Sequence, residues 1–230
     1  MVDAASFRPA RVRWGQLEGL LDVEMSGPFL RLYRAYGGRS RTYHDRRHVV
    51  DVVDGVDRSS RRLRVDVRAA LLAAAWFHDV VYDARRHDNE ERSADVLARE
   101  LRRHGIDRRV IADAVSLVLE TKRHSPSTLD IAAKVLVDAD LATLSASPER
   151  YDAYSAAIRE EYAWVPDAAY QAGRASVLRR FLERRSIYQA RAMRRREPAA
   201  RANIEREIKR LERNSEFNMD EGDKQDDSRS

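Results

Sequence analysis

The apolar positions of this chain recur mostly at three- and four-residue spacing, the period of an α-helix buried along one side. Trp14, Leu17, Leu20, Leu21, Met25, Leu30, Tyr33 and Tyr36 follow it. The spacing predicts two helices there, broken at Ser26-Gly27-Pro28 and ended by Gly37-Gly38, after a loose arm over 1–12. Val49, Val52, Val53 and Val56 form a second stripe. If its helix includes Tyr43 onward, His44 and His48 share a face. If it starts near Asp45, His44 lies at its mouth. From Ala69 to Phe77 no residue is polar, and a helix is predicted over about 65–81.

Further helices follow from their caps and stripes. Asn89 is the expected cap of one with Leu97 and Leu101 inside and Gly105 at its end. Asp107 caps the next, whose buried side is Val110, Ile111, Ala114, Val115, Val118 and Leu119. Another begins near Thr128 and carries Leu129, Ala132, Ala133, Leu136 and Val137. Ser147-Pro148 starts the one after, with serine at the cap and proline at the first helical position. A long arginine-rich helix is expected over about 167–195, and Glu197-Pro198 opens the last. β-Branched runs are short, and no internal repeat is present. The reading is an all-α protein, with one helical domain over 1–213 and a disordered acidic tail over 214–230.

Composition narrows the chemistry. The chain has 230 residues and no cysteine, which excludes disulfides, thiolate metal sites and cysteine nucleophiles. Any metal must sit on imidazole and oxygen ligands. No N-terminal apolar signal and no membrane-length apolar run is present, so a cytoplasmic protein without a membrane partner is expected. The net charge is +5, and arginines cluster over 58–64, 99–109, 179–185 and 191–196. These clusters suit either a solvated helical surface or a phosphate-rich partner such as nucleic acid; a homo-oligomer interface is a third use.

His78-Asp79 ends the most apolar stretch of the chain. Burying two adjacent ionisable groups is costly without strong partners, and a metal ion satisfies both at once. Other ligands can come from His48 and from Asp138 or Asp140, each beside apolar residues on a predicted helix. Two imidazoles and two carboxylates suit manganese, magnesium, cobalt, zinc or iron.

Tyr43-His44-Asp45-Arg46-Arg47-His48-Val49, Trp76-Phe77-His78-Asp79-Val80-Val81-Tyr82-Asp83 and Asp138-Ala139-Asp140-Leu141 together resemble the HD-domain superfamily of metal-dependent phosphohydrolases. Asn89-Glu90-Glu91-Arg92-Ser93-Ala94, Thr121-Lys122-Arg123-His124, Ile158-Arg159-Glu160-Glu161-Tyr162 and Gly173-Arg174 extend the likeness to one branch of predicted HD phosphohydrolases. The resemblance implies metal ligation by His48, His78, Asp79 and Asp140, with Asp138 as the alternative to Asp140. It implies hydrolysis of a phosphoester or phosphoanhydride in a small, nucleotide-like substrate. Asp83, one turn past Asp79, resembles a residue that handles the attacking water, and its other reading is a cap. His44 resembles a general acid, although Asp45 follows where asparagine is common. Lys122, His124, Arg159, Tyr162 and Arg174 are the expected substrate contacts, against ordinary surface roles. Two other classes stay open: a di-iron oxidative protein with His124 as an extra ligand, and a nucleic-acid-binding helical protein.

Overall fold

A computed structural model describes residues 4–124 and 130–226, with side chains over 7–124 and 130–213. The described residues are helical with no strand. The elements are α1 (Ala4–Leu21), α2 (Ser26–Ala35), α3 (Arg46–Ser60), α4 (Val65–Phe77), α5 (Asn89–Arg103), α6 (Arg108–Thr121), α7 (Ile131–Asp140), α8 (Pro148–Glu161), α9 (Asp167–Glu183) and α10 (Glu197–Asp226). No described helix is long and apolar enough to cross a membrane. The sequence reading treats 1–213 as one domain; the chain divides into two compact units, Met1–Ala142 and Thr143–Ser230.

In the first unit α4 is the central helix. Every residue from Ala69 to Phe77 is buried, because α1, α3, α5, α6 and α7 all pack on it. A helix that is apolar all round has no solvent face to offer, so it must be surrounded. Trp76 meets Trp14 of α1 edge-on at 5.5 Å and Phe29 of α2 at 6.3 Å. Phe7 packs on Phe29 and Tyr33 at 5.4 and 5.1 Å. Those contacts draw the expected N-terminal arm into α1, which begins at Ala4 and contains Pro9. The break falls at 22–25 instead of Ser26-Gly27-Pro28, which forms the first turn of α2. Asp22 takes a left-handed φ of 51°, and the Glu18 carboxylate accepts the Met25 N–H at 2.7 Å.

Gly105 ends α5 with a φ of 71°, and Asp107 caps α6 by accepting the Arg109 N–H. Asp88, not Asn89, occupies the residue before α5. Asn89 is instead buried and exchanges two hydrogen bonds with the backbone of Asp83, at 3.1 and 2.9 Å. The start expected near Thr128 lies outside the described residues; α7 is capped by Asp130.

In the second unit Ser147 caps α8, with Pro148 in its first turn. The arginine-rich helix stops at Glu183, short of the expected 195. Ile187 and Tyr188 are fully buried, and the chain must leave the helical path to place them. The Glu197 carboxylate accepts both of their backbone N–H groups, while Arg201 donates to the carbonyls of Leu182 and Arg184. α10 continues to Asp226, through most of the segment expected to be disordered. Glu, Met, Lys and Gln in that segment are good helix formers, and an existing helix extends at little cost.

Candidate metal centre

The centre is built where α4 ends. α4 stops at Phe77, with His78 as its C-cap, so His78-Asp79 stands just beyond the helix rather than within it. The last carbonyls of a helix have no intrahelical donor. Here four specific bonds close the end of the helix. The His78 Nδ1–H donates to the Ala75 carbonyl at 2.9 Å, and the Val80 N–H to the Phe77 carbonyl at 3.1 Å. The Tyr36 hydroxyl donates to the Trp76 carbonyl at 3.1 Å and accepts the Asp79 N–H at 3.3 Å. Because Nδ1 is committed to a carbonyl, Nε2 is the atom left for a ligand.

α3 brings His48. Asp45 caps this helix, accepting the N–H groups of Arg47 and His48 at 2.8 and 3.0 Å. His48 therefore lies in the first turn and His44 at the mouth, the second of the two sequence alternatives. α7 brings Asp140 as its last residue. Gly55 permits α3 and α7 to approach closely: a Cβ there would lie 3.1 Å from the Ala139 Cβ, beside Asp140.

His48, His78 and Asp140 offer ligand atoms that all lie within 4.8 Å of one another. The two Nε2 atoms are 3.2 Å apart. Asp140 Oδ1 lies 3.2 Å from His48 Nε2 and 3.6 Å from His78 Nε2. Asp79 Oδ2 lies 3.5 and 3.1 Å from the same two nitrogens. An ion with bonds of about 2.1 Å separates neighbouring ligand atoms by roughly 3.0–3.4 Å, so the spacing of His48, His78 and Asp140 suits one, while Asp79 stands beside the two imidazoles and outside that group. Asp138 is also buried on α7 but is not part of this group.

The electrostatics reinforce the fit. Burial pulls the His48 imidazole down, but the carboxylates of Asp140 and Asp79 outweigh it and carry the group up to about 9. Burial likewise opposes charge on His78, and Asp79 and Asp140 raise it well above the ordinary value. Burial would raise Asp79, yet the His78 charge and the bonds to both imidazoles hold it well below the carboxylate range. Asp140 is held low against burial by His124, His48 and His78. Two carboxylates thus demand positive charge, and two imidazoles 3.2 Å apart are crowded when both carry it. A divalent cation resolves both conditions.

His124 lies at the edge of this group. Its Nε2 is 3.0 Å from Asp140 Oδ2, and its backbone is left-handed with a φ of 45°. His44 stacks on Tyr82 at 4.0 Å and meets His48 edge-on at 5.5 Å. Asp83 is exposed, and its carboxylate accepts the Arg85 N–H at 2.9 Å, the pattern of a turn cap. Lys122 pairs with Glu91 and donates to the His87 carbonyl at 2.7 Å. Glu90 and Glu91 occupy the first turn of α5.

The remaining three expected contacts belong to the second unit. Arg159 donates to the carbonyls of Tyr162 and Val165 and pairs with Asp167 at 2.6 Å. Tyr162 stacks with Trp164 at 6.3 Å. Arg174 pairs with the buried Glu207 at 2.9 Å.

Sequence reasoning missed Tyr36, Arg41 and Gly55, all of which shape the centre. Arg41 is one of 43 basic residues and carries no local mark that sets it apart. No family model, curated protein or solved structure matches this chain. The fold and the site define an all-helical protein with a buried His-His-Asp group that can hold a metal ion.

Proposed function

We propose that the chain is a divalent-metal-dependent phosphohydrolase of the HD type, acting on a small, nucleotide-like phosphoester or phosphoanhydride. The observation that supports it is the convergence of His48, His78 and Asp140 from three separate helices, with Asp79 beside both imidazoles. His48 and His78 would hold the ion through Nε2, and Asp79 and Asp140 through carboxylate oxygens. Manganese, magnesium, cobalt, zinc and iron all suit this set. A bound divalent cation supplies Lewis acidity, polarising a phosphoryl oxygen and lowering the pKa of a water.

The chain's own groups do the rest. His44, beside His48 and braced by Tyr82, is assigned the proton delivered to the leaving oxygen. Asp83 is assigned to the attacking water. Lys122, which also holds Glu91 and the His87 carbonyl, and His124, which lies on Asp140, are assigned to the phosphoryl group because both belong to the first unit with the metal ligands. Arg159 and Arg174 commit their hydrogen bonds inside the second unit, so neither is assigned a phosphate.

The test is a nucleotide screen. Metal-free protein is supplied with manganese, cobalt, magnesium or zinc, and phosphate or pyrophosphate release is measured. Release above background is expected for at least one pairing and is lost in His78→Ala and Asp79→Ala. A folded, metal-loaded sample that releases nothing from any nucleotide contradicts the reading.

One contact favours a second reading. His124 on Asp140 Oδ2 leaves Oδ1 facing His48 and His78, so a single carboxylate faces imidazoles through both oxygens. That arrangement suits a di-iron oxidative centre with His124 as a ligand. Two irons per chain together with oxygen consumption would favour it over hydrolysis.

A further inference from the structure

Arg41 sits between the two halves of the centre. Its Nη1 donates to the Asp79 carbonyl at 2.6 Å and to the His44 carbonyl at 3.2 Å. Its Nη2 donates to the Val80 carbonyl at 2.9 Å. The guanidinium lies over the Tyr36 ring at 5.1 Å and the Tyr82 ring at 5.6 Å. Tyr82 in turn stacks on His44, and Tyr36 is the residue that binds the Asp79 N–H. One planar fork therefore ties the backbone before α3 to the backbone after α4.

This arrangement answers a physical problem. The segment after Phe77 is no longer helical, and its carbonyls lack the partners a helix would supply. Three carbonyls converge on one cation, and only a guanidinium has enough donors in fixed directions to serve them. The backbone on either side of the ligands is thereby fixed without any bond to the ligands' own side chains.

We propose that Arg41 is a positioning residue of the metal centre, holding His44 and Asp79 in register so that the Asp79 carboxylate meets His48 and His78. The inference rests on the metal-centre reading and is independent of which reaction the centre performs. Its sign is unusual. Removing a positive charge near a cation site should strengthen cation binding by Coulomb's law. Loss of positioning should weaken it, by about 10- to 100-fold, as for other groups that orient metal ligands.

The experiment is calorimetric titration of manganese into metal-free protein, without substrate, for wild type, Arg41→Met, Arg41→Lys and Arg47→Met. Arg47 is exposed in the first turn of α3 and reports the bare charge effect. Both Arg41 variants are expected to bind about 10- to 100-fold more weakly, and Arg47→Met as tightly as wild type or more so. The absorption spectrum of the cobalt-loaded protein should change in the Arg41 variants while the metal-free circular dichroism does not. Equal or tighter binding by Arg41→Met overturns the proposal, as does equal weakening in Arg47→Met. If Arg41→Met does not fold, Arg41→Lys decides: weaker binding supports the proposal and wild-type binding overturns it. A wild type that binds no metal removes the centre itself, an outcome distinct from wild-type-like binding in the variants.

Discussion

The two units each bury a cluster of polar groups, and they neutralise it differently. In the second unit Glu207 is 1% exposed. It accepts the Tyr151 hydroxyl at 2.6 Å, the Ser155 hydroxyl at 2.8 Å and the Arg174 guanidinium at 2.9 Å. Burial would raise its pKa, and Arg174 holds it below the ordinary value. The charge is balanced by a cation that cannot leave. In the first unit the largely buried carboxylates of Asp79 and Asp140 face the imidazoles of His48 and His78. An imidazolium, unlike a guanidinium, can give up its proton, so this positive charge is exchangeable. A cluster closed by arginine is architecture. A cluster closed by histidine can trade its protons for a metal ion.

The largest stability effect is expected where the cation is fixed. Arg174→Met leaves a buried, unpaired Glu207 and should destabilise the protein by about 3–5 kcal/mol, a loss that added metal does not restore. Chemical denaturation with and without manganese checks this. A loss well under 1 kcal/mol would remove the contrast between the two clusters.

A smaller, pH-dependent effect is expected where the charge is exchangeable. In metal-free protein His48 and His78 lie above their ordinary value, so their contribution is complete below about pH 6.5. For His48 it is lost as pH climbs through about 9. Asp79 and Asp140 lie below theirs, so their contribution holds above about pH 4 and is lost in acid. The chelated first unit should be most stable between about pH 4 and 6.5 and weaken on the alkaline side. Glu207, also lowered, adds only an acid-side loss to the second unit. Melts of the Trp164→Phe variant followed by tryptophan fluorescence from about pH 5 to 10, with chelator or with metal, separate the cases, since the remaining Trp14 and Trp76 lie in the first unit. An alkaline limb that is flat without metal would contradict the assignment of charge to the imidazoles.

The first-unit half of this contrast was legible in the sequence; the second was not, since Arg174 was expected at a substrate and its partner Glu207 carries no local mark. The run from Ala69 to Phe77 marked the central helix because uninterrupted apolarity has few other uses in a helical chain. His48, His78 and the Asp138/Asp140 pair stood out because polar groups beside such residues need partners, and the resemblance favoured Asp140 of the two. The end of α4 was not legible, because Val80 and Val81 continue the apolar run. Tyr36, distant in sequence, and the His78 ring terminate the helix together. Asn89 is a good cap in isolation, but its amide is drawn to the Asp83 backbone, leaving Asp88 to precede the helix. The arginine-rich segment after Glu183 is helical by propensity, and the burial of Ile187 and Tyr188 overrides that preference. Arg41 and Gly55 act through long-range partners, which a one-dimensional pattern does not contain.

The central claim is that the histidine-closed cluster holds a metal ion. The most direct measurement is calorimetric titration of manganese, cobalt or zinc into chelated wild type and His78→Ala, each checked for helical content. The account predicts saturable binding to wild type and none to the folded variant. Full occupancy in His78→Ala, or no binding of any divalent ion by folded wild type, would contradict it.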